Sequence, residues 1–147
     1  MRFSDLDRVY ALEKKLFPNP WPKSFFESDL QMRKTIAFVV ESNKEIIGYS
    51  IASCQDAKCH ITNIAVDESQ QRKGIGKRLM GVLESSARER GCGEAYLEVR
   101  TDNKAAVALY ETLGYNISHV QSHYYIDGDD AYVMVKDLSN TGPRDKT

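Results

Sequence analysis

The sequence predicts an α/β (α+β) fold: one mixed sheet of six to seven strands with helices on both faces. Three observations predict it. Runs rich in β-branched and aromatic residues alternate with segments of helical periodicity, in the order ααβββαβαββ. One strand-like run, Lys58–Val66, leads through a short polar loop into two glycines one residue apart and then an amphipathic helix. The chain has 147 residues, 41% hydrophobic and 28% charged, enough for one domain with a real core.

Leu6, Val9, Tyr10, Glu13, Leu16 and Phe17 recur at helical spacing, so Leu6–Leu16 reads as a helix with Ser4 or Asp5 as cap. Pro18, Pro20 and Pro22 break it. Ser24–Met32 resumes as a short helix, with Ser24 at the N-cap and Glu27 three residues on. Thr35–Glu41 and Glu45–Cys54 flank Ser42-Asn43-Lys44 and read as a hairpin, and Lys58–Val66 adds the third strand of the meander. Gly74–Arg90 is a helix with Ile75, Leu79, Val82, Leu83 and Ala87 along one stripe, closed by Gly91. Ala95–Val99 is a strand. Asn103–Leu113 is a helix carrying Val107, Tyr110 and Leu113, ended by Gly114. Tyr115–Tyr125 and Ala131–Leu138 are the final strands, around the turn Asp127-Gly128-Asp129. One domain is expected over residues 1–138, with a polar tail over 139–147.

Several function classes are excluded at this level. A net charge of −1 carries no polycationic signature for nucleic acid, so an acidic ligand has to be held by local charge. No apolar run approaches the ~20 residues a membrane span needs. Met-Arg-Phe-Ser-Asp-Leu-Asp lacks the apolar core of a signal peptide. Cys54, Cys59 and Cys92 form no C-x-x-C pair, and their odd number argues against a disulfide framework. A soluble cytoplasmic protein is expected. His119 and His123 stand at i, i+4, a metal spacing on a helix; on a strand they lie roughly 13 Å apart. No metal is expected.

The segment from Asn63 to Met80 carries the sharpest signal. Backbone N–H groups left unpaired at a helix N-terminus, with the helix dipole, favour a phosphate-bearing ligand. Gly74 and Gly76 let that ligand approach the backbone, and Arg72, Lys73, Lys77 and Arg78 place four cations at the mouth. A dinucleotide fingerprint needs a third glycine where Leu79 stands; a Walker-type loop needs Gly at Gln71 and Ser or Thr at Arg78. The pattern left is Gln-x-x-Gly-x-Gly; the bland alternative is a plain strand-to-helix connection with a solvated basic turn.

Asn63-Ile64-Ala65-Val66 and Gln71-x-x-Gly74-x-Gly76 stand with two further segments. These are Leu97-Glu98-Val99-Arg100-Thr101-Asp102-Asn103 and Ala108-Leu109-Tyr110-Glu111-Thr112-Leu113-Gly114-Tyr115. Together they closely resemble the GNAT superfamily of acetyl-CoA-dependent N-acetyltransferases. Within it they are most similar to the N-terminal protein acetyltransferases of bacterial ribosomal-protein and archaeal type. The resemblance covers about Leu6 to Leu138. It implies a sheet splayed at its middle with acetyl-CoA between two parting strands, and CoA as product. The pyrophosphate is then expected on Gln71, Arg72, Lys73, Gly74, Ile75, Gly76 and Lys77, and the pantetheine along Ile64, Ala65 and Val66. Asn103 is expected to contact the coenzyme, and Tyr110 to lie near its sulfur.

Acetyl transfer needs a base for the amine and an acid for the thiolate. Glu98, in an otherwise apolar strand, is the base candidate, since desolvation moves a carboxylate toward useful basicity; alternation alone leaves its face open. Tyr110 is the acid candidate, a phenol with an ordinary pKa of ~10; the alternative is a core aromatic. By resemblance to archaeal relatives, His60 shares a proton relay with Glu98; the alternative is an ordinary strand histidine. No cysteine stands at the family's reactive position, so direct transfer in a ternary complex is expected.

At pH 7, deprotonating an α-amino group costs about 1 kcal/mol and a lysine about 4.6 kcal/mol. A carboxylate base suits the first, so the α-amino group of protein or peptide N-termini, a ribosomal protein among them, is the expected acceptor. Lysine side chains, small-molecule amines or a non-catalytic CoA-binding role are the alternatives. By resemblance, Trp21 and Phe25 shape one side of the peptide groove, Tyr124 and Tyr125 close the other, and Asn63 contacts the substrate. Trp21 reads equally as a loop anchor, and the tyrosines as hairpin surface. The archaeal-type loop carries a glutamate where this chain has Asn19, which cannot act as a base.

Overall fold

The computed structural model describes residues 1–139. Its elements run α1 (Leu6–Leu16), α2 (Lys23–Gln31), β1 (Thr35–Ser42), β2 (Glu45–Gln55), β3 (Lys58–Val66), α3 (Ile75–Glu89), β4 (Glu94–Arg100), α4 (Lys104–Thr112), β5 (Asn116–Gln121) and β6 (Ala131–Asp137). Six strands form one open sheet in the order β1-β2-β3-β4-β6-β5, antiparallel throughout except between β3 and β4.

The meander is set by two tight turns. Asn43 and Lys44 (φ 52° and 67°) join β1 to β2, and Asp56 and Ala57 (φ 54° and 63°) join β2 to β3. Both are two-residue connections with two left-handed residues, whose twist matches that of the strands. Neither has a glycine to announce it.

Each face of the sheet has its own core. On one, Leu6, Val9 and Leu12 of α1 and Phe26 of α2 pack with Ile46, Tyr49, Ile51 and Ala65. On the other, Met80, Leu83 and Ala87 of α3 pack with Ile36, Ala52, Ile61, Leu97, Val99, Tyr115 and Met134, and α4 adds Ala106, Val107, Tyr110 and Leu113. Helices on both faces, as the sequence predicts, follow from this division.

The strand that matters most for function changes face midway. Ile51 pairs with Asn63 and Ala52 with Ile61, so Thr62 is an extra residue in β3, its hydroxyl donating to the Ile51 carbonyl at 3.3 Å. This bulge shifts the alternation by one. Ile61 therefore enters the α3–α4 core and Ala65 the α1–α2 core, although they stand an even four positions apart on one strand.

The parallel contact between β3 and β4 is short: Lys58, Cys59 and His60 pair with Glu94, Ala95 and Tyr96, and no pairing follows. Beyond it both strands run on, β3 to Val66 and β4 to Arg100. The sheet is splayed there, and one edge of β3 keeps unpaired backbone groups.

Four sequence expectations shift. The N-terminus of α2 is Pro22, not Ser24, and no side chain caps it: Pro22 presets φ at −61° and the Phe25 N–H donates to its carbonyl at 2.9 Å. Asp5 stands at the N-cap of α1 but its carboxylate is buried, accepting from the Arg2 N–H and Arg8. The buried stripe of α3 is Leu79, Met80, Leu83, Glu84 and Ala87, and Val82 is exposed. Glu84 tolerates burial because the Tyr115 hydroxyl (2.7 Å) and Lys136 Nζ (2.9 Å) donate to its two oxygens. Finally, β5 is the segment Asn116–Gln121, shorter than Tyr115–Tyr125: the chain leaves the sheet at Ser122 and His123 (φ 53°). The polar tail lies, Ser139 apart, outside the described residues. No helix among the described residues is long and apolar enough to cross a membrane.

Candidate active site

Where β3 and β4 part, their last paired residues are His60 and Tyr96, whose rings stack at 4.4 Å and 6°. Two residues along β4, on the same face as Tyr96, stands Glu98. Ala95, Leu97 and Val99 are all buried in the α3–α4 core, so alternation turns Glu98 to the opposite face. There His60 Nε2 and Glu98 Oε1 meet at 2.7 Å. The face that sequence alternation leaves open is thus settled by three apolar neighbours.

The pair lies in a groove of about 540 Å³, lined by Trp21, Phe25, Ser28 and Asp29 from the α1–α2 side, His60, Ile61 and Thr62 of β3, Glu98 of β4, and Tyr124 and Tyr125. Trp21 packs against Phe25 (6.2 Å) and Phe26 (5.4 Å). Burial, then the facing Glu98 carboxylate, pushes the Tyr124 phenol up to about 12. The loop carrying both tyrosines is tied to β4 by Arg100, which lies 4.1 Å over the Tyr125 ring and bonds Asp127 (3.0 Å) and Asp129 (2.7 Å).

The opposite wall depends on Glu13, buried in α1. Its carboxylate accepts from the Tyr49 hydroxyl, the Trp21 backbone N–H (3.0 Å) and the Asn63 amide (3.1 Å). Burial and that bond hold the Tyr49 phenol well above its usual range. Asn63, expected at the substrate, therefore has its amide committed to Glu13. The signal for this anchor, a glutamate on the apolar stripe of α1, is present in the sequence.

At the other end of β3 the glycine loop matches expectation in geometry. Arg72 (φ 68°) and Gly74 (φ 80°) are left-handed, and Gly74 is the N-cap of α3. Among the described residues, no protein acceptor pairs the N–H groups from Arg72 to Lys77. Arg72, Lys73, Lys77 and Arg78 are exposed around them and make no ion pair among the described residues. Gln71 is exposed, and its Nε2 donates to the Val66 carbonyl at 3.0 Å. Gly76 lies 3.9 Å from Val66 Cγ2 by the position a Cβ takes, and Ile75 is half-buried. The free edge of β3 at Ile64–Val66 leads from this loop toward His60. These features fit a diphosphate-bearing thioester whose amide-containing arm pairs as an extra strand. Gly74→Ala meets no atom but keeps a left-handed φ; it is expected to cost about 1 kcal/mol in a denaturant melt and to weaken coenzyme binding.

Asn103 is the N-cap of α4, its Oδ1 accepting from the Ala106 N–H at 3.1 Å. Tyr110 sits on the α3–α4 face, against Tyr115 at 6.2 Å. Burial first, and then the neighbouring Tyr125, raise its pKa. It is not a wall of the groove; the splay is the opening between the two faces. Cys54, Cys59 and Cys92 are free, and none lines the groove. Burial holds the Cys59 thiol high and Cys92 at about 11. Among the described residues no cluster of three or more His, Cys, Asp or Glu is placed to hold a metal. Ser28, Asp29, Thr62, Glu13 and Arg100 are contributors that the sequence reading did not single out.

The profile described as the acetyltransferase (GNAT) family matches residues 6–115. An N-alpha-acetyltransferase of Sulfurisphaera tokodaii is 33% identical over 150 residues, covering 93% of this chain and 90% of that protein. The crystal structure of the ribosomal-protein-S18-alanine N-acetyltransferase of Escherichia coli superposes with a TM-score of 0.87 at 33% identity, covering 97% and 94%. That of Chaetomium thermophilum Naa20 with a bisubstrate analogue gives 0.84 at 25% identity, covering 97% and 88%. The splayed sheet, the unpaired amides at α3 and these likenesses agree, and the chain belongs to the GNAT family of acetyltransferases, enzymes that use acetyl-CoA.

Proposed function

We propose that this protein transfers the acetyl group of acetyl-CoA to the α-amino group of protein or peptide N-termini, by direct attack in a ternary complex. The observation that carries the reading is the His60–Glu98 pair at 2.7 Å, in a groove that opens at the splay between β3 and β4. The relatives named for N-alpha-acetylation, one of them acting on a ribosomal protein, support the acceptor class. Three free thiols suit a reducing, cytoplasmic setting.

In this reading the amides of Arg72–Lys77, the four cations around them and the backbone of Ile64–Val66 hold the coenzyme, with Asn103 beside it. Bound acetyl-CoA supplies the acetyl group as a thioester. Glu98 takes a proton from the incoming ammonium, directly or through one water, and His60 holds the carboxylate by donating from Nε2. Trp21 and Phe25 form one wall for the peptide; Tyr124 and Tyr125 form the other. The freed amine attacks the thioester carbonyl and the C–S bond breaks. Tyr110 gives a proton to the departing thiolate and is restored by the second proton the nitrogen loses; a raised pKa keeps its phenol protonated across the neutral range. The groove lacks a cysteine to carry the acetyl group. Tyr110→Phe is expected to lower kcat about 10- to 100-fold with little change in the KM for acetyl-CoA, read by steady-state kinetics.

The reading is tested with paired peptides, each containing a lysine, one with a free N-terminus and one blocked, incubated with acetyl-CoA and mapped by mass spectrometry. A single acetyl group on the free α-amine, and none on the blocked peptide, is the result expected. Lysine acetylation that survives the block contradicts it.

A further inference from the structure

The groove has a charge pattern that the transfer chemistry does not use. Its ionisable carboxylates and imidazole are Glu98, Asp29 and His60; among the described residues no lysine or arginine lines it. Glu98 is engaged by His60, whereas Asp29 has no partner at hydrogen-bond or ion-pair distance among the described residues. It stands on α2, half-buried. Burial raises its pKa, and the charge of Lys34 only partly opposes this; Lys34 donates to Gln55 Oε1 at 3.4 Å. A half-buried carboxylate that lines the groove and has no protein donor among the described residues can accept a cation brought by a ligand. Beside it the same wall carries Trp21 and Phe25, Phe25 being 56% exposed. Aromatic faces next to a carboxylate suit a lysine or arginine, whose stem packs on the rings while the charged head reaches the acid.

We propose that Asp29, with Trp21 and Phe25, forms a specificity subsite for a lysine or arginine at the second or third residue of the substrate peptide. This rests on the N-terminal acetyltransferase reading. With the α-amino group at Glu98, an extended peptide sends successive side chains to opposite walls, so one of those two positions faces α2.

The test uses a peptide series identical except at positions two and three, where lysine, arginine, norleucine or glutamate is placed in turn. Rates of α-amine acetylation are measured, and affinities in the presence of CoA are read from the fluorescence of Trp21, the chain's single tryptophan. For the wild type, the basic peptides are expected to exceed the norleucine peptide about 5- to 10-fold in kcat/KM and in affinity at one of the two positions, with the advantage shrinking as salt rises. Asp29→Asn collapses that ratio toward one, and Asp29→Lys turns the preference to glutamate. A wild-type ratio near one, or a ratio unmoved by Asp29→Asn, overturns the subsite while leaving N-terminal acetylation standing. Absence of α-amine acetylation for every peptide overturns both.

Discussion

Glu98→Gln is expected to lower kcat about 10²- to 10³-fold while leaving the affinity for acetyl-CoA within about twofold, measured by steady-state kinetics and equilibrium titration. The amide keeps the shape and can still accept from His60 Nε2, but it cannot take a proton. The loss therefore falls on chemistry and not on binding. The geometry makes the prediction sharp: Glu98 stands where β3 and β4 part, and the residue pairing with it is the histidine at the last rung of their short ladder. His60→Ala is expected to cost less, about 10-fold, because Glu98 loses its orienting donor but keeps its carboxylate. An equal loss for both substitutions would assign the proton to the pair acting as one unit.

Glu13→Ala is expected to destabilise the fold by about 3 kcal/mol, lowering the melting temperature by about 10 °C in a thermal melt. Three donors lose their acceptor at once: the Tyr49 hydroxyl, fully buried, the Trp21 N–H and the Asn63 amide. Each buried donor left unmet costs on the order of 1–3 kcal/mol, and partial hydration of the loop offsets part of the sum. The same substitution frees Trp21 from α1, so the peptide KM is expected to rise well before the coenzyme KM does. Glu13→Gln, which keeps one acceptor oxygen, should fall between the two proteins in both measurements. A melt unchanged by Glu13→Ala would show that these three bonds do not hold the groove's wall.

The elements legible in the sequence are those whose signals are local. β3 ends where the apolar run ends, at Val66, and α3 begins at the left-handed Gly74. The β1–β2 hairpin is announced by Asn43-Lys44 between two β-branched runs. Features set by contact across the sheet are not legible in this way. The Thr62 bulge moves Asn63 onto Glu13 and sets Ile61 and Ala65 on opposite faces, and strict alternation gives no hint of it. Val82 and Met80 differ by 160° around α3, and both are apolar; only the position of the helix over β1–β3 decides that Met80 is buried. The strand expected up to Tyr125 stops at Gln121 because Arg100, at the end of β4, gathers Asp127 and Asp129 and turns the tyrosines toward Glu98. Glu98, His60, Trp21, Phe25, Tyr124 and Tyr125 are brought to one groove, whereas Asn63 is drawn into the supporting network and Tyr110 lies across the splay.

The most direct measurement is an amide NMR titration of the full chain with CoA. With the diphosphate held on backbone N–H groups, the largest saturable shifts are expected on Arg72–Lys77, with a second set at Ile64–Val66 along the free edge of β3. Saturable binding that leaves those amides in place, or no binding at all, would contradict it.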